Sequence, residues 1–137
     1  MKRVLILCTG NSCRSQMAEG YLRHFAGRRA EVRSGGVEAH GLNPRAVAVM
    51  AEDGVDISGG TSDLVDAWQH VPFDHVITVC DSARERCPWF PSNAQHWHHD
   101  FPDPAKTTGD EAEIMAEFRR VRDLIKAYCA EFAKAQL

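Results

Sequence analysis

The chemistry-bearing residues of this chain begin with Cys8-Thr9-Gly10-Asn11-Ser12-Cys13-Arg14-Ser15, which follow the apolar run Val4 to Leu7 and lead into a helix-like stretch at Gln16-Met17-Ala18-Glu19. A thiol at a strand end, a short loop containing a glycine and a helix start aim successive backbone N–H groups at one point. Such a point binds a tetrahedral oxyanion. Arg14 adds a planar, permanently charged fork for the oxygens. The same donors favour thiolate over thiol, which should lower Cys8 below the free value of about 8.5. Thr9, Gly10, Asn11, Ser12, Cys13 and Arg14 therefore read as an oxyanion cradle around the nucleophile Cys8. A buried strand-end cysteine and a surface arginine would also satisfy the bare spacing. The strand before, the glycine inside and the helix beyond each have a mechanical task, and together they favour the cradle.

Two further constellations carry chemistry. Cys80 and Cys87 lie seven positions apart after an apolar run, which is roughly 10 Å along a helix. A disulfide needs Cα atoms within about 7 Å, so pairing these thiols requires the segment to bend or unwind. A core Cys80 beside an incidental Cys87 is the plain alternative. Asp103 sits between Pro102 and Pro104, whose rings hold it in an extended loop. A turn-forming role is common for such an aspartate, but a thiolate attacking an oxyanion must expel an oxygen, and an acid that protonates it lowers the barrier. Asp103 is the candidate acid. A zinc site built from the cysteines with His96, His98 or His99 does not match known ligand spacings.

The elements that must position these groups alternate between apolar runs and helix-period segments, which predicts an α/β fold with a mostly parallel sheet. The reading places strands at Arg3 to Leu7, Glu31 to Ser34, His75 to Val79 and Gln95 to His98. It places helices at Ser15 to Phe25, Pro44 to Glu52 and Glu111 to Phe132, with Asn43-Pro44 as a cap and first helical residue. Thr61 or Ser62 is expected to cap a short helix over Leu64 to Trp68, with Asp63 in its first turn. Ligands sit outside the carboxyl ends of strands in open α/β sheets, so Cys8 and Cys80 should flank one crevice.

The 137 residues fit a single domain, residues 1–137, with a net charge of −3 and interspersed acids and bases that argue against a nucleic-acid partner. The apolar run after Met1-Lys2-Arg3 is too short for a signal peptide, and no stretch is long enough to span a membrane. An odd count of five cysteines, without a secretion signal or a C-x-x-C pair, points to a reducing, cytoplasmic setting and against a structural disulfide framework.

Nearly the whole chain resembles the thioredoxin-coupled arsenate reductases, which are built on the low-molecular-weight protein tyrosine phosphatase fold. The resemblance runs through Cys8 to Gly20, Ser34 to Val37, His40 to Pro44, Thr61 to Asp63, Val76 to Cys80, Cys87-Pro88, Asp103 to Ala105 and Arg119 to Asp123. It implies a single α/β domain with a four-stranded parallel sheet flanked by helices. It also implies reduction of arsenate to arsenite for arsenic detoxification. In that relay Cys8 attacks arsenate held by the loop and Arg14, Asp103 protonates the departing oxygen, and Ser15 donates to the Cys8 sulfur. Cys80 then attacks Cys8, and Cys87 attacks Cys80, leaving a disulfide that thioredoxin reduces. No cofactor is required beyond electrons from thioredoxin, although Asn11, Glu19, Ser34 and Asp63 match positions that bind potassium in some members. From the residues alone, Asn11 could instead shape the loop in a left-handed conformation and Asp63 could be a helix-start acid. His98-His99-Asp100 lengthens the stretch before Asp103, which makes Asp100 a rival acid.

A phosphatase acting on aryl phosphates could use the same cradle and acid. Phosphatase relatives place an aromatic residue after their Asp-Pro, where this chain has Ala105 and Lys106, and Cys80 and Cys87 have no role in phosphate hydrolysis. A phosphocysteine carrier or oxyanion sensor would need neither Asp103 nor the distal thiols.

Overall fold

The computed structural model describes residues 1–81 and 90–137. Its centre is β1 (Lys2–Cys8), whose residues Val4 to Leu7 are completely buried. A strand buried on both faces reads as a continuous apolar run rather than an alternation, which is why Val-Leu-Ile-Leu forms the middle of the sheet. Around it lie β2 (Ala30–Gly36), β3 (His75–Thr78) and β4 (Gln95–His98), in the order β2-β1-β3-β4, all parallel. Chain order reverses at β1, so the crevice at its carboxyl end is where such a sheet binds ligands.

Alternation along β1 divides the core. Val4, Ile6 and Cys8 face a large cluster shared with α1 (Arg14–Ala26), α2 (Pro44–Glu52) and α3 (Glu111–Gln136). Leu5 and Leu7 face a smaller cluster with Phe73, Val76 and Phe90. The Asn43 side chain caps α2 by accepting from the N–H groups of Arg45 and Ala46, with Pro44 as first helical residue. The Asp110 carboxylate caps α3 by accepting from Glu113 N–H at 2.8 Å. That helix runs to Gln136, past the expected Phe132, because Phe132 and Ala133 are still buried against the sheet.

The short helix after β2 departs from expectation. It is a single 3-10 turn, Val65–Trp68, that begins at Leu64 without a side-chain cap, and Asp66 occupies its first turn. The groups expected to cap it are committed elsewhere. Ser62 Oγ donates to the Asn11 carbonyl at 2.8 Å and Thr61 Oγ1 to Asp63 Oδ2 at 2.7 Å, while the Asp63 carbonyl accepts from Gly36 N–H at 3.0 Å. The segment preceding the turn thus belongs to the loop after β1.

Candidate active site

The loop between β1 and α1 is shaped from outside by donors that hold its carbonyls. Thr9 O accepts from Glu38 N–H at 3.0 Å, Gly10 O from His40 N–H at 3.0 Å and Ser12 O from Asn43 N–H at 2.9 Å. Asn11 O accepts from Ser62 Oγ at 2.8 Å and from Gln16 Nε2 at 3.1 Å. Cys13 O accepts from Met17 N–H at 2.9 Å in the first turn of α1. No described peptide is cis, and across a trans peptide a carbonyl and the next N–H point in opposite directions. Pulling these carbonyls outward therefore turns the N–H groups of Gly10 to Arg14 inward.

Two backbone features allow the wrap. Asn11 adopts φ 45°, the only positive φ outside glycine among the described residues, and its side chain is the hub of the loop. Its Oδ1 accepts from Ser15 Oγ at 2.8 Å, and its Nδ2 donates to Asp63 O at 3.1 Å. Gly36, opposite Cys8 in the β1–β2 register, lets the strand end lie against the loop. A Cβ there would stand 2.7 Å from Thr9 O and 2.9 Å from Asn11 N.

Inside the loop is a cavity of about 360 Å³ lined by Cys8, Thr9, Gly10, Ser12, Cys13 and Arg14, with His40, Asp103, Ala105 and Lys106 at the rest of its wall. Arg14 is only 3% exposed and is oriented by Phe101 O, which accepts from Nη1 at 3.0 Å. Asp103 Oδ2 lies 3.7 Å from Arg14 Nη2, and its Oδ1 accepts from Ala105 N–H at 3.0 Å. The cavity thus holds a thiol, a buried guanidinium and a carboxylate at one wall. Asp100 is not among the lining residues; it pairs with His98 Nε2 at 2.5 Å beyond the end of β4.

Ser15 departs from expectation. Asn11 Oδ1 is an acceptor only, so the single Ser15 proton is spent on it rather than on the Cys8 sulfur. The serine acts on the loop through Asn11. Cys8, Cys13 and Cys129 are buried thiols. Burial first, then the Asp103 carboxylate, push the Cys13 thiol far up, Arg14 opposes them, and Cys8 adds a further upward push. Cys80 is fully buried two residues past β3 and is disulfide-bonded. Leu7 pairs with Thr78 in register, so Cys8 and Cys80 leave the sheet on adjacent strands. Cys87 lies outside the described residues.

Asn11, Glu19, Ser34 and Asp63 come together behind the loop. Ser34 Oγ donates to Glu19 Oε1 at 2.5 Å, and Arg23 Nη2 pairs with Glu19 Oε2 at 2.6 Å. Burial raises the Glu19 carboxyl above its ordinary value, the Ser34 hydrogen bond and Arg23 pull it back, and Asp63 adds a further rise. Two carboxylates, a hydroxyl and an amide oxygen suit a hard monovalent cation, with Arg23 already supplying part of the countercharge. Among the described residues no group of three or more His, Cys, Asp or Glu is arranged to hold a metal ion.

His40 in the cavity wall, the Glu38 N–H that holds Thr9 O and the bracing Gln16 have no role in the reading of the sequence. His40 and Gln16 fall within the family-like stretches, which does not say what they touch.

Residues 3–137 match the model for low molecular weight phosphotyrosine protein phosphatase. The chain is 48% identical over 133 residues to a protein of Bacillus subtilis named arsenate reductase, covering 97% of this chain and 96% of that one. A Bacillus licheniformis protein of the same name is 49% identical over 133 residues. Among solved structures, an arsenate reductase in its phosphate-binding state superposes with TM-score 0.82 at 32% identity, covering 98% of both chains. With its parallel sheet, its thiol-bearing loop and this match over almost its entire length, the chain belongs to the low molecular weight phosphotyrosine protein phosphatase family.

Proposed function

We propose that this protein reduces arsenate to arsenite through a cysteine relay recharged by thioredoxin. The observation that carries the reading is the placement of Cys8 in an oxyanion cavity with Arg14 and Asp103, while Cys80 follows two residues past the end of the neighbouring strand and is itself in a disulfide. Arsenate enters with its oxygens on the inward N–H groups and Arg14. Cys8 attacks arsenic, and Asp103 protonates the oxygen that leaves as water. Cys80 then attacks the Cys8 sulfur. The new S–S bond forms as the S–As bond breaks, and the bonding pair stays on arsenic, which departs as arsenite. Cys87 exchanges into that disulfide, and thioredoxin restores the thiols.

The near relatives named arsenate reductase support this substrate. Ala105 and Lys106 at the cavity mouth offer no aromatic ring to stack on a phenyl phosphate. A potassium ion would be held by Asn11, Glu19, Ser34 and Asp63, where it would supply countercharge behind the loop. Replacing potassium by a bulky organic cation should then lower the melting temperature, and an unchanged melting temperature would remove the ion. The chain is assigned to the cytoplasm, where thioredoxin keeps thiols reduced; no helix among the described residues is long and apolar enough to cross a membrane.

The test is NADPH oxidation with thioredoxin and thioredoxin reductase, with and without arsenate. Arsenate-dependent turnover should be lost in Cys87→Ser, and Asp103→Asn should slow it by about 10²-fold or more. No turnover, with hydrolysis of an aryl phosphate instead, would make the protein a phosphatase. Binding of phosphate without either reaction would make it a carrier or sensor.

A further inference from the structure

We propose that Cys8 and Cys13 together form a binding site for trivalent arsenic, which closes between the two sulfurs inside the oxyanion cavity. The identity of the ligand rests on the reading of arsenate as substrate, since arsenous acid is its reduced product. The site itself rests on two thiols that share one cavity.

The relay leaves Cys13 without work, yet it is a buried thiol and lines the same cavity as Cys8. Cys8 is the last residue of β1 and Cys13 the residue that precedes α1. The loop between them curls back on itself, turned at Asn11 by its positive φ. Both sulfur-bearing residues therefore face the space where arsenic reacts. They are close enough that Cys8 contributes to the rise of the Cys13 thiol.

The burial of the Cys13 thiol suits an uncharged ligand on its sulfur. Burial strongly disfavours a thiolate there, but an As–S bond is uncharged, and arsenous acid is neutral at physiological pH. Condensation moves no electrons: arsenous acid and two thiols give one arsenic bound to both sulfurs and one hydroxyl, with two waters released. Arsenic remains trivalent, and each thiol proton leaves on a departing oxygen. The remaining hydroxyl would face Arg14 and Asp103. Thiol sulfur is a soft ligand well matched to this centre. The inward N–H groups, by contrast, are arranged for a tetrahedral anion, so the loop grips substrate by charge and product by sulfur.

A consequence for turnover follows. When arsenite forms, Cys8 is tied to Cys80 and the pair is dismantled, so product escapes. The pair returns once Cys87 has exchanged onto Cys80 and freed Cys8, and arsenite then competes with arsenate for the cavity.

The experiment uses the full chain carrying Cys80→Ser and Cys87→Ser, which removes the other thiol pair, with sodium arsenite as probe. Native mass spectrometry should show one arsenic per chain, and both Cys8 and Cys13 should be shielded from iodoacetamide. Adding Cys13→Ser should weaken arsenite binding at least tenfold relative to any change in inorganic phosphate binding, which reports on the loop. Equal loss for both ligands, or no loss for arsenite, would overturn the site. X-ray absorption at the arsenic edge, on protein that retains Cys13, decides independently of that variant. Two sulfur neighbours support the site, and one overturns it. A two-sulfur complex in a chain that fails to reduce arsenate would sink the proposed function and leave this site standing; turnover with a one-sulfur complex would do the reverse.

Discussion

Replacing Asn11 separates what its backbone and its side chain each contribute to the loop. In Asn11→Ala the new residue must still adopt φ 45°, and an alanine in the left-handed region costs roughly 1–2 kcal/mol. Ser15 Oγ, completely buried, loses its acceptor at 2.8 Å, and the Asp63 carbonyl loses one of its donors at 3.1 Å. A buried hydroxyl left without a partner costs about 1–3 kcal/mol, whereas the Asp63 carbonyl keeps Gly36 N–H at 3.0 Å and loses little. Gln16 loses little, because it keeps Asn11 O at 3.1 Å and Thr61 O at 2.8 Å. The sum is about 2–5 kcal/mol, a large fraction of a typical stability of about 5–15 kcal/mol. Asn11→Gly removes the same hydrogen bonds but relieves the backbone, so it should recover roughly 1 kcal/mol relative to alanine. Urea unfolding of the three proteins, paired with protection of Cys8 from iodoacetamide by phosphate, reads both effects. If alanine unfolds with the wild type, or glycine is no better than alanine, the account of the loop as a left-handed turn braced by one amide is wrong.

Further outcomes follow from the same geometry. Gly36→Ala should weaken phosphate binding by tenfold or more, because its Cβ would meet backbone atoms at 2.7, 2.8 and 2.9 Å, whereas Gly10→Ala meets the exposed ring of His40, which can swing aside. Equal losses in a phosphate titration would show that the strap does not hold the loop. Burial raises the Glu19 carboxyl above its ordinary value of 4.5, so the native state binds more protons than the unfolded chain between those two values. Its stabilising share is complete below the ordinary carboxylate range and is lost as pH rises through the raised folded value. The urea midpoint of the wild type should therefore fall with pH in that window more steeply than that of Glu19→Gln, and parallel profiles would show that Glu19 is not the cause.

The comparison of sequence with structure turns on the range of each signal. Val4 to Leu7 as a buried strand, Asn43-Pro44 as a helix start and Gln95 to His98 as a strand are set by residues within a few positions of one another, and all appear as read. The cradle was legible for the same reason: a strand end, a glycine and a helix start are local features. Asp103 reaches the cavity as its flanking prolines implied. Its rival Asp100 is not among the residues lining the cavity, which only the packed fold could decide. The capping role expected of Thr61 or Ser62 failed because local preference yielded to distant partners. Ser62 lies 51 positions from the Asn11 carbonyl it holds.

By itself, then, the sequence determined which residues carry chemistry and which element each one ends, because strand, turn and cap preferences act over a few neighbouring residues. Only the tertiary structure decided what those residues face. Arg14 is aimed by a carbonyl 87 positions away, and the loop N–H groups turn inward because Glu38, His40 and Asn43 pull its carbonyls outward. Ser15 serves Asn11 rather than Cys8, and Cys13 shares the cavity of the nucleophile. The contacts to Phe101, Glu38, His40 and Asn43 join segments far apart in the chain, and no local preference encodes them; they exist only once sheet and helices have packed.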